Sequence, residues 1–274
     1  MTQRIRFRHI DAFADQAFAG NSAAVYRVDA FPDDATMLKI AREHNLSETA
    51  WYVPDESGEA DYVLRWFTPA VEVELCGHAT LAAGHHCLTE EPERETVRFR
   101  TLKGAGVLEV ARAGEGRYRM TLPAWQSEER ELPALVTALG GAPEAVRVTT
   151  NAAEDSMLAI YGSEAAVRNL NPDFAALARI GNVLVIATAP ADAGSDIDVV
   201  SRVFAPGAGI DEDPVTGAAH AMLTPYWCAR LGRDSFEAYQ ASERGGRVSC
   251  ALVGDRAVLH GECIDVIEGD LLLP

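Results

Sequence analysis

Short runs of apolar and aromatic residues, bounded by Gly, Pro or Asp, fill most of the chain and predict strands. In the first half these runs predict strands at residues 5–13, 23–28, 49–54, 61–67, 94–101, 104–112 and 117–122. In the second half they predict strands at residues 145–149, 156–161, 183–188, 197–204, 236–241, 246–252, 256–260 and 262–267. We therefore expect a chain rich in β-structure.

Three segments interrupt the strands with helical patterns. Residues 33–45, DDATMLKIAREHN, place an apolar face behind an acidic first turn. Residues 77–88, GHATLAAGHHCL, are apolar nearly all round, which predicts a buried helix. In residues 211–223, DEDPVTGAAHAML, Pro214 suits the first helical position and Asp213 suits the cap before it.

The order of these elements repeats, which predicts two like domains. Each half has strands, one buried helix rich in small residues, and then more strands. Between the halves, residues 123–135, PAWQSEERELPAL, shift to charge and proline and mark a boundary. We expect domains at 1–122 and 123–261, with the last strand, 262–274, packing on the first. The two helix N-termini would then be directed into one cleft.

Composition excludes several kinds of partner. The 274 residues carry a net charge of −17, which argues against a nucleic-acid or anionic-membrane partner. The first residues, MTQRIRFRHIDAF, hold no apolar signal region, and no apolar run approaches the roughly 18 residues of a membrane span. The five cysteines form no CxxC pair and suit a reducing compartment. We expect a cytoplasmic protein.

Known cofactor and metal motifs are missing from the sequence. It has no GxGxxG after a strand and no GxxxxGK[ST]. His85, His86 and Cys87 are adjacent on a helix, so they point in different directions, unlike the i, i+4 ligands of a zinc helix. We therefore expect catalysis, if present, to need neither a cofactor nor a metal.

The two predicted helix N-termini favour an anionic ligand. Free N–H groups and about half a positive charge lie at such a terminus, so two of them suit a carboxylate or an enolate-like anion. Nearby carboxylates could then move protons. We expect Asp213 to take part in the chemistry, while Asp211 and Glu212 stay in a loop at the rim.

Five motifs carry a family resemblance. They are HIDAFADQAFAGNSAAV at 9–25, LSETAWYV at 46–53, RWFTPAVEVELCGHATLAAGH at 65–85, VFAPGAGIDEDPVTGAAHAMLTPYW at 203–227 and RGGRVSC at 244–250. In this order they resemble the PhzF-like isomerases of phenazine biosynthesis. The resemblance implies an α+β fold like diaminopimelate epimerase. Two pseudo-symmetric domains would each wrap a mostly antiparallel sheet around a central helix, with the active site between them.

The resemblance also implies roles for individual residues. Glu48 in SET becomes the general acid/base, which removes a proton from one carbon and returns it to another carbon of trans-2,3-dihydro-3-hydroxyanthranilate or a similar small carboxylate. His78 and Asp213 become its polar partners, and the helix field would keep His78 neutral. The implied substrate-binding positions are Asn21, Cys76, Gly77, Gly217 and Ala218. A homodimer is expected from the family alone.

Two positions depart from the family pattern. Ala218 stands where the family often has Ser, so a hydroxyl that could bind the substrate carboxylate is missing. Ser22 replaces the Pro that often follows GN, which affects the stiffness of the loop more than the chemistry. The identity of the substrate therefore stays open.

Two other functions remain as alternatives. Amino-acid epimerases and racemases of the same fold use two thiols, each beside a Gly at a helix N-terminus. Cys76-Gly77 supplies one such pair, whereas the second half has Thr216-Gly217. The third hypothesis is a protein that binds a small metabolite without catalysis, which needs no proton-transferring carboxylate.

Overall fold

The computed structural model describes residues 3–104, 106–150 and 156–273 and divides into two compact units. The first unit comprises the chain through Thr121 and again from His260, and the second runs from Leu122 to Leu259. Residue 105, within the predicted strand 104–112, lies outside the described residues. The same is true of residues 1 and 2 of the predicted first domain, 151–155 of the second, and 274 at the end of the predicted last strand.

Strands dominate both units. They are β1 (Gln3–Ala12), β2 (Asn21–Arg27), β3 (Glu48–Pro54), β4 (Tyr62–Phe67), β5 (Glu72–Val73), β6 (Thr96–Thr101), β7 (Val107–Arg112), β8 (Arg117–Pro123), β9 (Ser127–Glu129), β10 (Ala145–Thr149), β11 (Ser156–Ile160), β12 (Leu184–Pro190), β13 (Val199–Ala205), β14 (Ile210–Asp213), β15 (Ser235–Gln240), β16 (Gly246–Val253) and β17 (Arg256–Leu273). The helices are α1 (Asp34–His44), α2 (Gly77–Glu90), α3 (Pro133–Leu139), α4 (Glu164–Arg168), α5 (Phe174–Ile180) and α6 (Gly217–Leu231).

The two units share one order of strand pairing. In the first, β1–β2 is antiparallel, β2–β3 parallel, β3–β4 antiparallel, β4–β6 parallel and β6–β7 antiparallel. In the second, β10–β11 is antiparallel, β11–β12 parallel, β12–β13 antiparallel, β13–β15 parallel and β15–β16 antiparallel, which is the same alternation. A short strand, β5 or β14, precedes the long helix of each unit. The expected α+β fold of two like halves, each with a mostly antiparallel sheet, is confirmed.

The helix α2 is enclosed by the sheet of the first unit. Every residue from Gly77 to Leu88 is buried, as the apolar pattern predicts. Gly84 shows how closely the helix approaches the sheet, because a Cβ there would lie 2.4 Å from Cγ1 of Val110. No larger residue fits at this crossing without displacing the strand.

The predicted start of the helix α6 is wrong. Its first residue is Gly217 and its N-cap is Thr216, so Pro214 does not occupy the first helical position and Asp213 is not the cap. Asp213 instead ends β14, where it pairs with Val203 of β13. Tertiary pairing of this short segment prevails over the local capping pattern.

Asp211 and Glu212 also differ from expectation, because both lie in β14 rather than in a rim loop. The Glu212 carboxylate accepts two hydrogen bonds from the Arg202 guanidinium on β13, each at 2.8 Å. The charge of Glu212 is therefore paired with that of Arg202 across two neighbouring strands, which gives this acidic residue a structural role.

Several short elements escaped prediction. The strands β5, β9 and β14 and the helices α3, α4 and α5 are too short to show a clear period in the sequence. The predicted strands 256–260 and 262–267 are one continuous strand, β17. Gly261, the residue between the two predicted ranges, lies at a close approach of the backbone to an aromatic ring: a Cβ there would lie 2.3 Å from Cδ1 of Phe13.

The helices within residues 3–104, 106–150 and 156–273 include none with both the length and the apolar character that a membrane crossing requires.

Three histidines, His44 half-buried and His86 and His220 buried, act as neutral hydrogen-bonding groups. His44 contacts the Tyr26 hydroxyl through Nε2 at 2.6 Å, and His86 contacts the Tyr52 hydroxyl through Nδ1 at 2.7 Å. His220 is fully buried on α6, with Nδ1 2.8 Å from the carbonyl oxygen of Thr216. Burial lowers the pKa of each of the three to about 4.

We expect the free energy of unfolding to decrease as the pH falls from about 6.5 to about 4. In this window the unfolded histidines bind protons that the folded ones do not, so stability rises with pH there. Each such group contributes a slope of about 1.4 kcal/mol per pH unit. Urea titrations at several pH values should show a shallower slope for His220→Gln than for the unsubstituted protein. Equal slopes would contradict a lowered pKa of His220.

Candidate active site

Glu48 and His78 form a buried acidic–basic pair in the first unit. Glu48 is the first residue of β3, three residues after Asn45, which ends α1 in the left-handed conformation. His78 is the second residue of α2. The side chains lie with His78 Nε2 2.9 Å from Glu48 Oε2, and the residues are only 3% and 8% exposed. A strand and a helix therefore fix both groups.

Asn21 and Cys76 contact the same imidazole. The amide nitrogen of Asn21, the fully buried first residue of β2, lies 3.1 Å from His78 Nδ1. Cys76, the N-cap residue of α2, places Sγ 3.6 Å from Nδ1 and 4.0 Å from Nε2. Residues from three separate motifs of the sequence thus meet around one ring.

The expectation of a neutral His78 is not supported. Burial alone lowers the pKa of His78, but the neighbouring Cys76 and Glu48 offset burial and raise the pKa well above 6.5. We assign the rise to Glu48, because its carboxylate lies 2.9 Å from the ring. An imidazolium donates from both nitrogens, so the Asn21 amide orientation that suits it turns the oxygen toward Nδ1.

Cys76 is not prepared to act as a base. Burial raises the pKa of its thiol to about 11, with a further increase from the nearby Glu48. The thiolate is the reactive form of cysteine, and it is therefore scarce here at neutral pH. This makes Cys76 a buried thiol that contacts His78 rather than a ready acid/base.

In the second unit, Asp213 and the start of α6 form a hydrogen-bonded group. Asp213 is 8% exposed, and its carboxylate accepts a hydrogen bond from the Thr216 hydroxyl. The fully buried Gln240 donates to the Asp213 carbonyl at 2.7 Å and accepts from the Thr216 N–H at 3.0 Å. Gly217 is buried and Ala218 is half-buried in the first turn. Gln240 thus holds the two sides of the β14–α6 turn together.

The starts of α2 and α6 are built alike. In α2 the Thr80 hydroxyl donates to the carbonyl of Cys76 at 2.5 Å, four residues earlier. In α6, His220 Nδ1 makes the matching contact with the carbonyl of Thr216. The match aligns Cys76 with Thr216.

Sequence reasoning missed Gln240 and His220. Gln240 belongs to a predicted strand, 236–241, and a single polar residue at the end of a strand carries no sign of its partners. The contact of His220 with a backbone carbonyl depends on the register of α6 with Thr216, which the sequence does not reveal. Neither position shows a motif that would have identified it.

The structure therefore distributes the predicted site residues over the two units. Glu48, His78, Asn21, Cys76 and Gly77 come together at the start of α2. Asp213, Gly217 and Ala218 come together at the start of α6. Each group surrounds the N-terminus of a helix longer than three turns, where anions are stabilised.

Comparisons with known proteins agree with this architecture. The family described as phenazine biosynthesis-like protein matches residues 10–269. An uncharacterised isomerase of Pseudomonas aeruginosa is 46% identical over 271 residues, which cover 98% of this chain and 99% of that protein. A PhzF-family crystal structure from Enterococcus faecalis has a TM-score of 0.88 at 37% identity, covering 99% of this chain and 100% of the other. A hydroxyproline epimerase from Agrobacterium vitis shares the fold, with a TM-score of 0.62 at 12% identity over 98% and 93% of the chains.

The fold and the relatives define an isomerase with the two-domain, epimerase-like architecture. Within this class, the chain belongs to the phenazine biosynthesis-like protein family, which includes the PhzF proteins. The resemblance inferred from the sequence motifs is confirmed.

We expect Cys76 to react with iodoacetamide at pH 8 far more slowly than a free cysteine, because its raised pKa and burial keep it as an inaccessible thiol. Peptide mass spectrometry after timed alkylation measures this rate. The urea-unfolded chain is the control and should be modified at the ordinary rate. Modification of Cys76 in the folded protein as fast as in urea would contradict this assignment.

Proposed function

We propose that this isomerase moves a proton between two carbons of a small carboxylate-bearing metabolite, similar to trans-2,3-dihydro-3-hydroxyanthranilate, without a cofactor. Glu48 is the proposed general acid/base. The observation that carries the proposal is the buried Glu48–His78 pair at the N-terminus of α2. Burial of a charged carboxylate costs solvation free energy, and a need for its chemistry explains why such a group is retained.

The proposed reaction has two proton transfers. Glu48 as carboxylate takes a proton from one carbon, and the electron pair left behind shifts the adjacent double bond. Glu48 as carboxylic acid, which can exchange its proton with solvent, then gives a proton to another carbon, so that no atom is gained or lost overall. The enzyme needs no oxidant, because the substrate is rearranged without a change in overall oxidation state.

His78 and the N-terminus of α2 have separate tasks in this scheme. His78 holds the Glu48 carboxylate in one rotamer, and Asn21 holds the ring of His78 in turn. The N-terminus of α2, which begins at Gly77, would stabilise the negative charge that develops as the proton leaves the carbon. Positioning of the acid/base and charge stabilisation are both contributions that the described groups can make.

The second unit supplies the remaining residues of the proposal. Asp213 is the proposed second carboxylate, and the α6 terminus at Gly217 and Ala218 is the proposed binding position for a substrate carboxylate. Ala218 offers no hydroxyl, so backbone N–H groups would bind that carboxylate. The homodimer expected from the family stays a prediction.

The thiol-based alternative is less well supported. A racemase of this fold needs two thiols, and Thr216 aligns with Cys76 in the second unit. Burial also raises the pKa of Cys76 to about 11. The third hypothesis, binding without catalysis, gives no reason for a buried acid beside a histidine.

We expect Glu48→Gln to lower turnover by about 10²–10⁴-fold, because the amide keeps the shape of the side chain but cannot carry the proton. Turnover is measured with trans-2,3-dihydro-3-hydroxyanthranilate, and deuterium incorporation from D2O is followed by NMR for this and other small carboxylates. Glu56→Gln, an exposed position in the same unit, and Asp211→Asn, an exposed position in the second, are controls that should retain turnover.

Full turnover by Glu48→Gln on a substrate that the unsubstituted protein converts would contradict the role of Glu48. Absence of deuterium exchange in every substrate, together with measurable binding of one of them, would instead favour the binding protein. Loss of exchange only in a Cys76→Ala variant would favour the thiol mechanism.

We expect the losses in Asp213→Asn and Glu48→Gln to be non-additive, because both carboxylates are proposed to serve one proton transfer. The double variant should have nearly the turnover of Glu48→Gln alone. Single-turnover rates of the unsubstituted protein, the two single variants and the double variant together form a double-mutant cycle. Losses that multiply fully would place Asp213 outside the step that Glu48 performs.

A further inference from the structure

We infer that Glu48, Cys76 and His78 form a binding site for one thiophilic divalent cation, such as Zn²⁺, and that its occupancy inhibits the isomerase. The site is formed entirely by residues of the first unit. The inhibitory part of the inference rests on the proposed function, whereas cation binding stands on the geometry alone.

The geometry of the three side chains is close to that of a zinc site. One ligand atom from each residue can be chosen so that all three lie within 4.8 Å of one another. A tetrahedral Zn²⁺ with ordinary bond lengths separates nitrogen and oxygen ligands by about 3.4 Å and nitrogen and sulfur ligands by about 3.6 Å. The Nε2–Oε2 and Nε2–Sγ distances here are 2.9 and 4.0 Å. These two distances thus lie within about 0.5 Å of the tetrahedral values.

The ligand types suit this class of cation. A thiolate, an imidazole and a carboxylate together select zinc-like ions over magnesium or calcium, which prefer oxygen ligands alone. Three protein ligands leave a fourth position for water or for an oxygen of the substrate. Coordination displaces the proton of the Cys76 thiol and that of His78 Nε2, which leave to solvent as the cation enters.

Asn21 provides the outer support that such sites require. A metal-bound histidine nearly always donates its other ring N–H to a fixed acceptor, which orients the ring. With Nε2 on the cation, Nδ1 of His78 faces the Asn21 amide at 3.1 Å. When the amide is turned so that its oxygen rather than its nitrogen faces Nδ1, this oxygen accepts from Nδ1–H. The ligand and its support are thus present in the chain.

Charge balance also permits the cation. The N-terminus of α2 carries about half a positive charge and by itself opposes a cation. The thiolate of Cys76 and the carboxylate of Glu48 bring two negative charges, which offset a divalent ion. A bound ion would occupy the Glu48 oxygen that is proposed to carry the proton, and the consequence is inhibition rather than activation.

The test uses the tag-free full chain, first freed of metal by dialysis against a chelator. Co²⁺ should bind with one ion per chain and give both a sulfur-to-cobalt charge-transfer band and the intense visible bands of four-coordinate cobalt. Calorimetry with Zn²⁺ gives the affinity. We expect Cys76→Ala to lose the charge-transfer band, while Cys87→Ala, a matched buried thiol on the same helix, keeps it.

Asn21→Ala should weaken Zn²⁺ binding by about 10–100-fold, as loss of an outer contact does, and Glu48→Gln should weaken it as well. Circular dichroism verifies the fold of each variant. Zn²⁺ should inhibit deuterium exchange, and added chelator should restore it. Chelator alone should leave the exchange of the metal-free protein unchanged.

A weak six-coordinate cobalt spectrum, or a charge-transfer band that persists in Cys76→Ala, would overturn the site. Cation binding that leaves exchange unaffected would overturn the inhibitory role. These outcomes are separate from failure of the proposed function, because full turnover by Glu48→Gln would refute the proton-transfer role and leave the cobalt spectrum of the unsubstituted protein unaltered.

Discussion

The contact between Glu48 and His78 is the interaction on which the rest of the first unit depends. Two ionisable groups that are almost fully enclosed lose the solvation of water, and only a close partner can replace it. Removal of either partner would leave the other as an uncompensated buried group, which typically costs about 3–5 kcal/mol. The start of β3 and the first turn of α2 must therefore stay in register, and the apolar enclosure of α2 maintains that register.

The second unit also places a helix against its sheet, but the polar groups at the start of that helix interact differently. Around the start of α6 the polar groups satisfy one another: Thr216, Gln240 and Asp213 exchange hydrogen bonds through side chains and backbone. Around the start of α2 the polar groups converge on one titratable ring instead. Two copies of one topology have thus come to hold different chemistry, with thiol and imidazole in one and with threonine and alanine at the matching positions of the other.

Patterns in the sequence predict the long elements well, because α1 and most strands bury a face whose period is visible over several residues, and α2 is apolar on every side. The start of α6 was misplaced because Asp213 and Pro214 form a good local cap, yet pairing with β13 is decided by residues far away in the chain.

For the site, the motifs identify Glu48, His78 and Asn21 as a group only through family resemblance, since they come from three distant segments. The charge of His78 depends on a distance to Glu48 that no spacing in the sequence encodes. The electrostatic character of a site is therefore harder to predict than the identity of its members.

The ladder between β1 and β17 has a consequence for biosynthesis. Gln3 pairs with Leu273 and Ala12 pairs with Cys263, so the residues of β1 pair with residues made more than two hundred positions later. The second unit is continuous in sequence and can close as soon as its own strands are complete. The first unit must wait with an unpaired strand edge, and its assembly follows that of the second, the reverse of the usual vectorial order of N-terminal domains first.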